Sequence, residues 1–362
     1  MSRQRCNVLA HGRLRHPGRV AGCQACRGAD LEGNNRGGPG NQGKEVQPEA
    51  GRARERASTD QERGGRVTIV LPEKYRARDE FARRNIPSIT EEQALREDIR
   101  ALRIGLVNLA GCGPEYEADL LQPMGRSVMQ IEPVWIRLKT YAYEQASTER
   151  VSAVYSVFED AIRAGTLDGI IVAGESDGDV DFEKLAYWAE ISRILKYAGN
   201  NVPSTLGLGW GAQVIAAFHG IPSRMCREPA FGIYQARNLN ETHRITCIMD
   251  DVFDCPVRRR SAVDTMALGR EHDKGSIALL AETDETGTLL AETKDQRFLM
   301  HFGHPEYTVD DIIERHRKDS VEGAAMPQPA HIDITSPVNT WRGHSTALFT
   351  QWIKYIHETR SY

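Results

Sequence analysis

The run Arg297-Phe298-Leu299-Met300-His301-Phe302-Gly303-His304-Pro305-Glu306-Tyr307 reads as a buried strand that delivers a histidine to its exposed end. Glu306 is spaced to hold one nitrogen of the His304 imidazole and leave the other free to take a proton, which is the arrangement of a general base and its orienting carboxylate. A strand-end histidine can also be satisfied by a neighbour and do no chemistry. Pro305 favours the catalytic reading of His304 and Glu306, because it fixes the turn that carries both side chains. His301, inside the strand, is expected to pack under the sheet.

A second segment, Ser204-Thr205-Leu206-Gly207-Leu208-Gly209-Trp210-Gly211-Ala212-Gln213, is an apolar strand running straight into a helix. Such an elbow lifts its central side chain clear of the sheet and aims the first amides of the helix at it, so a Cys or Ser there becomes an activated nucleophile. The central residue is Gly209, which has nothing to activate. It either permits a strained turn or leaves room for a larger ligand. A base and its carboxylate thus stand without the group they would serve.

Both segments need a sheet to position them. Short apolar runs at 102–109, 129–137, 169–173, 204–209, 245–249, 277–282 and 298–302 predict strands, and the turn signal at 284–287 falls between the last two. Helical stretches are expected over 115–124, 150–164, 184–198, 211–218, 309–320 and 346–357. Strands alternating with helices define an α/β fold, a mostly parallel sheet flanked by helices on both faces. Chemistry in such sheets collects beyond the C-terminal strand ends, so the loops after Leu109, after Ala173, at Gly209 and after Gly303 are expected to converge.

At 362 residues and 40% apolar content the chain can build one large core. A formal charge of -4 argues against a nucleic-acid surface. No apolar run approaches the roughly eighteen residues of a membrane span. Seven scattered cysteines suit reduced thiols in the cytoplasm better than a disulfide framework. Residues 1–66 are rich in Arg, Gly, Gln and Glu and lack periodicity, so they read as a disordered or mis-annotated extension ahead of a domain over 67–362. Cys23 and Cys26 have zinc-ligand spacing, but a structural site normally shows a second tight pair, and no metal site is expected.

Further motifs sharpen the reading: the loop Ala173-Gly174-Glu175-Ser176-Asp177-Gly178, Ala186-Tyr187-Trp188, Gly220-Ile221-Pro222, and Trp341-Arg342-Gly343-His344 ahead of Leu348-Phe349-Thr350-Gln351-Trp352. With these and His-Pro-Glu-Tyr, the chain from about Val67 onward resembles homoserine O-acyltransferases of the homoserine O-succinyltransferase family, relatives of the class I glutamine amidotransferases. The resemblance implies a glutamine amidotransferase-like fold, acyl-CoA as co-substrate with no bound cofactor, a place in methionine biosynthesis, and a small-molecule acceptor. It allows a homodimer.

It also implies roles for particular residues. In the family an elbow cysteine takes the acyl group as a thioester, and the homoserine hydroxyl, deprotonated by the histidine, then accepts it. Here Gly209 stands at the cysteine position, while His304 and Glu306 match the base and its carboxylate. Substrate contacts are expected from Gly178, which matches the glycine that admits a succinyl group, and from Trp210, Arg258 and Lys318. Arg258 replaces a serine that bears on the acceptor. Lys318, or Arg317 if the helix slips by one, stands where an arginine would clamp the amino-acid carboxylate, and a lysine keeps the charge but loses the bidentate fork. Two family lysines fall among Gly111, Cys112 and Gly113 and on Pro229.

The loop from Glu175 to Asp181 reads as a solvated acidic loop or as a site for a cationic ligand or divalent metal. Cys112 is the thiol placed to substitute as nucleophile. Cys226 is expected in a polar loop, and Cys247 in a strand as inert core. Three functions remain in view: an O-acyltransferase that transfers directly without the thioester, a binding protein whose pocket holds an amino acid or CoA compound, and a lyase or amide-forming enzyme.

Overall fold

The computed structural model describes residues 69–360, apart from 74, 76, 98, 111–112, 144–147, 176–179 and 324–325. The expected extension over 1–66, with its Cys23–Cys26 pair, and the residues Cys112 and Gly178 lie outside the described residues.

Strand periodicity sets the layers. Along β3 (Leu102–Leu109), Leu102, Ile104 and Leu106 pack into one core, and Val107 and Leu109 into another. In β6 (Gly169–Gly174), Ile171 and Ala173 join the first, Ile170 and Val172 the second. Side chains on a strand alternate between faces, so each apolar run must be covered on both sides. Helix α3 (Pro114–Met124) and the last helix, α10 (Arg342–Thr359), cover one face. The other is covered by α5 (Phe158–Ala164), α6 (Trp188–Asn201) and α7 (Trp210–Phe218).

Among the described residues the sheet has twelve strands. Its parallel half runs β2 (Ser88–Thr90), β1 (Ile69–Leu71), β4 (Ile131–Arg137), β3, β6, β7 (Thr205–Gly209) and β12 (Phe298–His301). An antiparallel extension follows through β11 (Gly287–Thr293), β10 (Ile277–Thr283), β8 (Ser223–Asn238) and β9 (Val252–Val263). The two-residue β5 (Ser156–Val157) adds to β4. Shorter helices α1 (Arg78–Arg83), α2 (Glu91–Arg96), α4 (Thr148–Val154) and α8 (Thr265–Asp273), with α9 (Val309–Glu322) after β12, complete the order. The α/β architecture, with its largely parallel sheet between helical layers, is as the sequence predicts.

Several local expectations are overturned. The helix expected over 150–164 is two helices, α4 and α5, separated by Tyr155 and β5. The strand expected over 245–249 is a series of turns: Asn238 and Asn240 accept from the amides of Asn240 and Thr242 through their side chains, and His243 O from Thr246 N, so local polar bonds bend the chain away from the ladder. Cys247 is therefore exposed, not core, and Cys226 lies in β8, not in a polar loop. The β8–β9 hairpin, β11 and α8 have no counterpart among the elements expected from the sequence. Pro229 is tolerated inside β8 because it falls in the irregular stretch between Met225 and Ala230.

Register brings the rim together. Leu109 pairs with Gly174, Gly174 with Gly209, and Leu208 with His301, so four strand ends meet at one level. Helix α7 starts without a loop and crosses β6 closely: a Cβ on Gly211 would lie 1.9 Å from the Val172 carbonyl oxygen. Gly211→Ala should therefore cost at least about 2 kcal/mol by overpacking. Gly269→Ala, in α8 with no atom within 4 Å of the added methyl, should gain up to about 1 kcal/mol. Urea unfolding of the two variants checks the contrast; equal stabilities would contradict the close crossing.

Candidate active site

Gly209 ends β7 at φ 54° and ψ -113°, a conformation that disfavours any side chain. The next residue, Trp210, opens α7 and is buried; its Nε1 donates to the Tyr187 hydroxyl at 2.8 Å and its ring stacks on Phe182 at 4.8 Å. The elbow is thus braced from the helix side by aromatic packing.

The segment after β12 forms a strap across the elbow. Gly209 N donates to Gly303 O at 3.2 Å, His304 N to Pro256 O on β9 at 2.8 Å, and Tyr307 N to His304 O at 3.1 Å. Trp341, packed in a small core with Phe231, Ile233 and Ile312, donates its Nε1 to Tyr307 O at 2.7 Å and holds the strap from below. Backbone bonds on three sides leave His304 little freedom.

His304 Nδ1 lies 2.9 Å from Glu306 Oε1, and both residues are 3% exposed. In the tautomer in which Nδ1 donates to Glu306 Oε1, Nε2 is the basic nitrogen. The ring stacks on Tyr307 at 4.2 Å. Its other edge faces the elbow: a Cβ on Gly209 would lie 2.3 Å from His304 Cε1 and 2.6 Å from Nε2. The imidazole therefore occupies the space in which a nucleophile's side chain would begin. The second Glu306 oxygen, Oε2, is buried without a hydrogen-bond partner among the described residues.

Around this pair lies an ion network that corrects the reading of Glu175 as part of a solvated loop. Glu175 Oε2 accepts from Arg258 at 2.9 Å, and Oε1 from Arg315 and, at 3.2 Å, from the Tyr307 hydroxyl. Burial alone would raise the Glu175 carboxyl, but the charges of Arg315, Arg258 and His304 outweigh it and hold it at about 2. Arg258 also donates to Asp319 at 2.7 Å, and the Arg315 guanidinium lies 4.2 Å over the Tyr307 ring. Buried Tyr116 faces the same charges; burial first, then Glu306 and Glu175, push its hydroxyl well above the usual tyrosine range.

The structure gathers Gly209, Trp210, His304, Glu306 and Arg258 at one rim. Lys318 sits at the edge of α9 with its ammonium 4.0 Å from Glu322, and Arg317 is turned out onto Glu314 at 2.5 Å. It is Arg315, three residues before Lys318, that reaches the site. Helical spacing held the signal: Ile312, Arg315 and Asp319 recur at three and four residues, on one face. Cys255 also went unread. Its sulfur lies 3.9 Å from His301 Nε2 in the core, and burial pushes the thiol well above the ordinary range, so it is kept protonated and unreactive.

The site is thus a buried His–Glu pair facing a strand-to-helix elbow on an α/β sheet. The chain belongs to the homoserine O-succinyltransferase family, whose model matches residues 68–362. It is 31% identical to homoserine O-acetyltransferase 1 of Ilyobacter polytropus over 295 residues, covering 80% of this chain and 96% of the relative. It is also 31% identical to the homoserine O-acetyltransferase of Agrobacterium fabrum over 302 residues, 82% and 97% of the two chains. A solved glutamine amidotransferase from Thermotoga maritima superposes with a TM-score of 0.49 at 10% identity, covering 71% of this chain and 99% of that one.

The contact between Gly209 and His304 yields a double-mutant prediction. Gly209→Ala should destabilise by about 2–4 kcal/mol, combining backbone strain with the clash against the imidazole. In a His304→Ala background only the backbone part remains, so the cost should fall by at least about 1 kcal/mol. Equal costs in both backgrounds, measured by chemical denaturation, would mean that the ring does not occupy that space.

Proposed function

We propose that this protein transfers an acyl group from a thioester such as acyl-CoA to the hydroxyl of homoserine or a closely related amino acid, in one direct step without an acyl-enzyme. The observation that carries the reading is the 2.9 Å His304–Glu306 bond, which leaves the basic edge of the imidazole on the Gly209 side. His304 Nε2 takes the proton of the acceptor hydroxyl as its oxygen attacks the thioester carbonyl. The carbon–sulfur bond breaks, and the departing thiolate leaves with the proton returned by His304. Glu306 holds the ring and stabilises the transient imidazolium. Positioning both substrates over the elbow replaces the covalent stage, and proximity of this kind can supply about 7–11 kcal/mol of a barrier.

Arg315 and Arg258 supply the positive charge that an amino-acid carboxylate would meet. Glu175 stands on both, so an incoming carboxylate competes with it. That competition, with the imidazole lying in the nucleophile's seat, supports a second reading: a pocket that holds an amino acid or CoA derivative without turning it over.

Incubation with homoserine and either acetyl-CoA or succinyl-CoA, followed by thiol release and mass spectrometry, separates the two. Direct transfer predicts O-acylhomoserine, with a rate that falls about 100-fold or more in His304→Ala and by a smaller factor in Glu306→Gln. Saturable binding without product, or a rate untouched by His304→Ala, would favour the binding protein.

A further inference from the structure

The carboxylate of Glu175 is the meeting point of three donors from three parts of the fold: Arg258 on β9, Arg315 on α9 and the hydroxyl of Tyr307 in the strap. Each of them is held by something other than Glu175. Arg258 Nη2 donates to Asp319 at 2.7 Å, and the Arg315 guanidinium lies 4.2 Å over the Tyr307 ring. Tyr307 stacks on His304, donates its amide to His304 O at 3.1 Å and accepts from Trp341 Nε1 through its carbonyl at 2.7 Å. The donors are therefore arranged whether or not this carboxylate is among them, which is how a preorganised anion site is built.

Glu175 is held differently. It follows the last residue of β6, and its side chain is 27% exposed, against 18% for Arg258 and 20% for Arg315, so the carboxylate sits at the open side of the cluster. Among the described residues, its carboxylate bonds go to the three donors alone. Rotation of its own side chain would lift the carboxylate out and leave the donors standing. With Asp319 still on Arg258, that departure leaves one net positive charge on the cluster, which draws in another anion. Burial, only partly offset by the charge of Arg315, pushes the Tyr307 hydroxyl well above the usual tyrosine range, so Tyr307 serves as a donor and not as that anion.

We infer that Glu175 is an internal stand-in for a ligand carboxylate: it fills a three-donor seat formed by Arg258, Arg315 and the Tyr307 hydroxyl, and a carboxylate-bearing ligand binds by taking its place and its hydrogen bonds. The contact is autoinhibitory. A ligand meets an empty seat only in the fraction of molecules whose Glu175 has swung out, and its apparent affinity is reduced by that fraction. Tyr307 is then a specificity-determining residue, with its hydroxyl on the ligand and its ring on the base. That the ligand is an amino acid rests on the acceptor proposed above; the exchange itself does not.

Acetate tests the exchange without turnover, by thermal unfolding of the full chain at increasing acetate in the unaltered protein and in Glu175→Ala. The truncation vacates the seat, so acetate should stabilise Glu175→Ala saturably and bind it at least about tenfold more tightly than the unaltered protein, the factor expected if Glu175 is out in about a tenth of the molecules or fewer. Chloride and acetamide, which match its charge or its shape but not both, should not. Tyr307→Phe added to Glu175→Ala keeps the ring on His304 and should weaken acetate about tenfold, as deletion of a hydrogen bond to a charged group does. Equal acetate affinity with and without Glu175, or an affinity untouched by loss of the Tyr307 hydroxyl, overturns the inference. Should Glu175→Ala fail to fold, Glu175→Gln decides by the same titration: a neutral amide is a poorer occupant, so acetate should still bind more tightly than to the unaltered protein, and equal binding overturns the inference. Homoserine separates the exchange from the proposed function. If acetate fills the vacated seat and homoserine does not, the stand-in holds and the acceptor is wrong; if O-acylhomoserine forms while acetate binds both proteins equally, the acceptor holds and the stand-in falls.

Discussion

The structure of the site depends on one contact, the edge of the His304 imidazole against the bare backbone of Gly209. An imidazole can lie there only if the elbow carries no side chain, because a Cβ would fall 2.3 Å from the ring. Loss of the side chain and position of the base are therefore a single structural fact. The strap bonds from Gly209, Pro256 and Trp341 fix the ring from the backbone, and Glu306 and Tyr307 fix its plane. The imidazole thus occupies the space in which a side chain at the elbow would begin.

The second constraint is electrostatic. Two arginines and one carboxylate meet beside the His304–Glu306 pair, and the guanidinium charges hold the Glu175 carboxyl at about 2 despite its burial. Arg258 spans Glu175 and Asp319, so β9, the β6 loop and α9 are tied through one side chain. Truncating such a residue leaves buried carboxylates unpaired, which costs more than the pair itself contributes. The network thus ties three elements of the rim to one another.

How much of this is legible in the sequence varies with the physical cause. The elbow and the strap could be read because apolar runs ending in Gly or His-Pro encode local geometry, and parallel-sheet rules then bring their ends together. The hairpin β8–β9 escaped notice because its outer half is exposed and polar, with Pro229 in an irregularity, so no clean period-two pattern marks it. The run 245–249 misled in the opposite sense: its apolar composition suggested a strand, but bonds made by Asn238, Asn240 and His243 turn the chain. Linear matching points to Lys318 and not to Arg315 because it cannot tell which face of a helix turns inward. That the ring of His304 fills the elbow depends on side-chain placement across a hundred residues of chain, and nothing local encodes it.

Direct transfer requires that both substrates be bound before either reacts. Initial velocities measured over a matrix of acyl-CoA and homoserine concentrations test this most directly, together with intact-mass analysis of enzyme incubated with the donor alone. The account predicts lines that intersect and no acyl adduct. Parallel lines, with stoichiometric acylation of the protein by the donor, would show that a nucleophile elsewhere in the chain carries the group and that His304 does not act on the two substrates together.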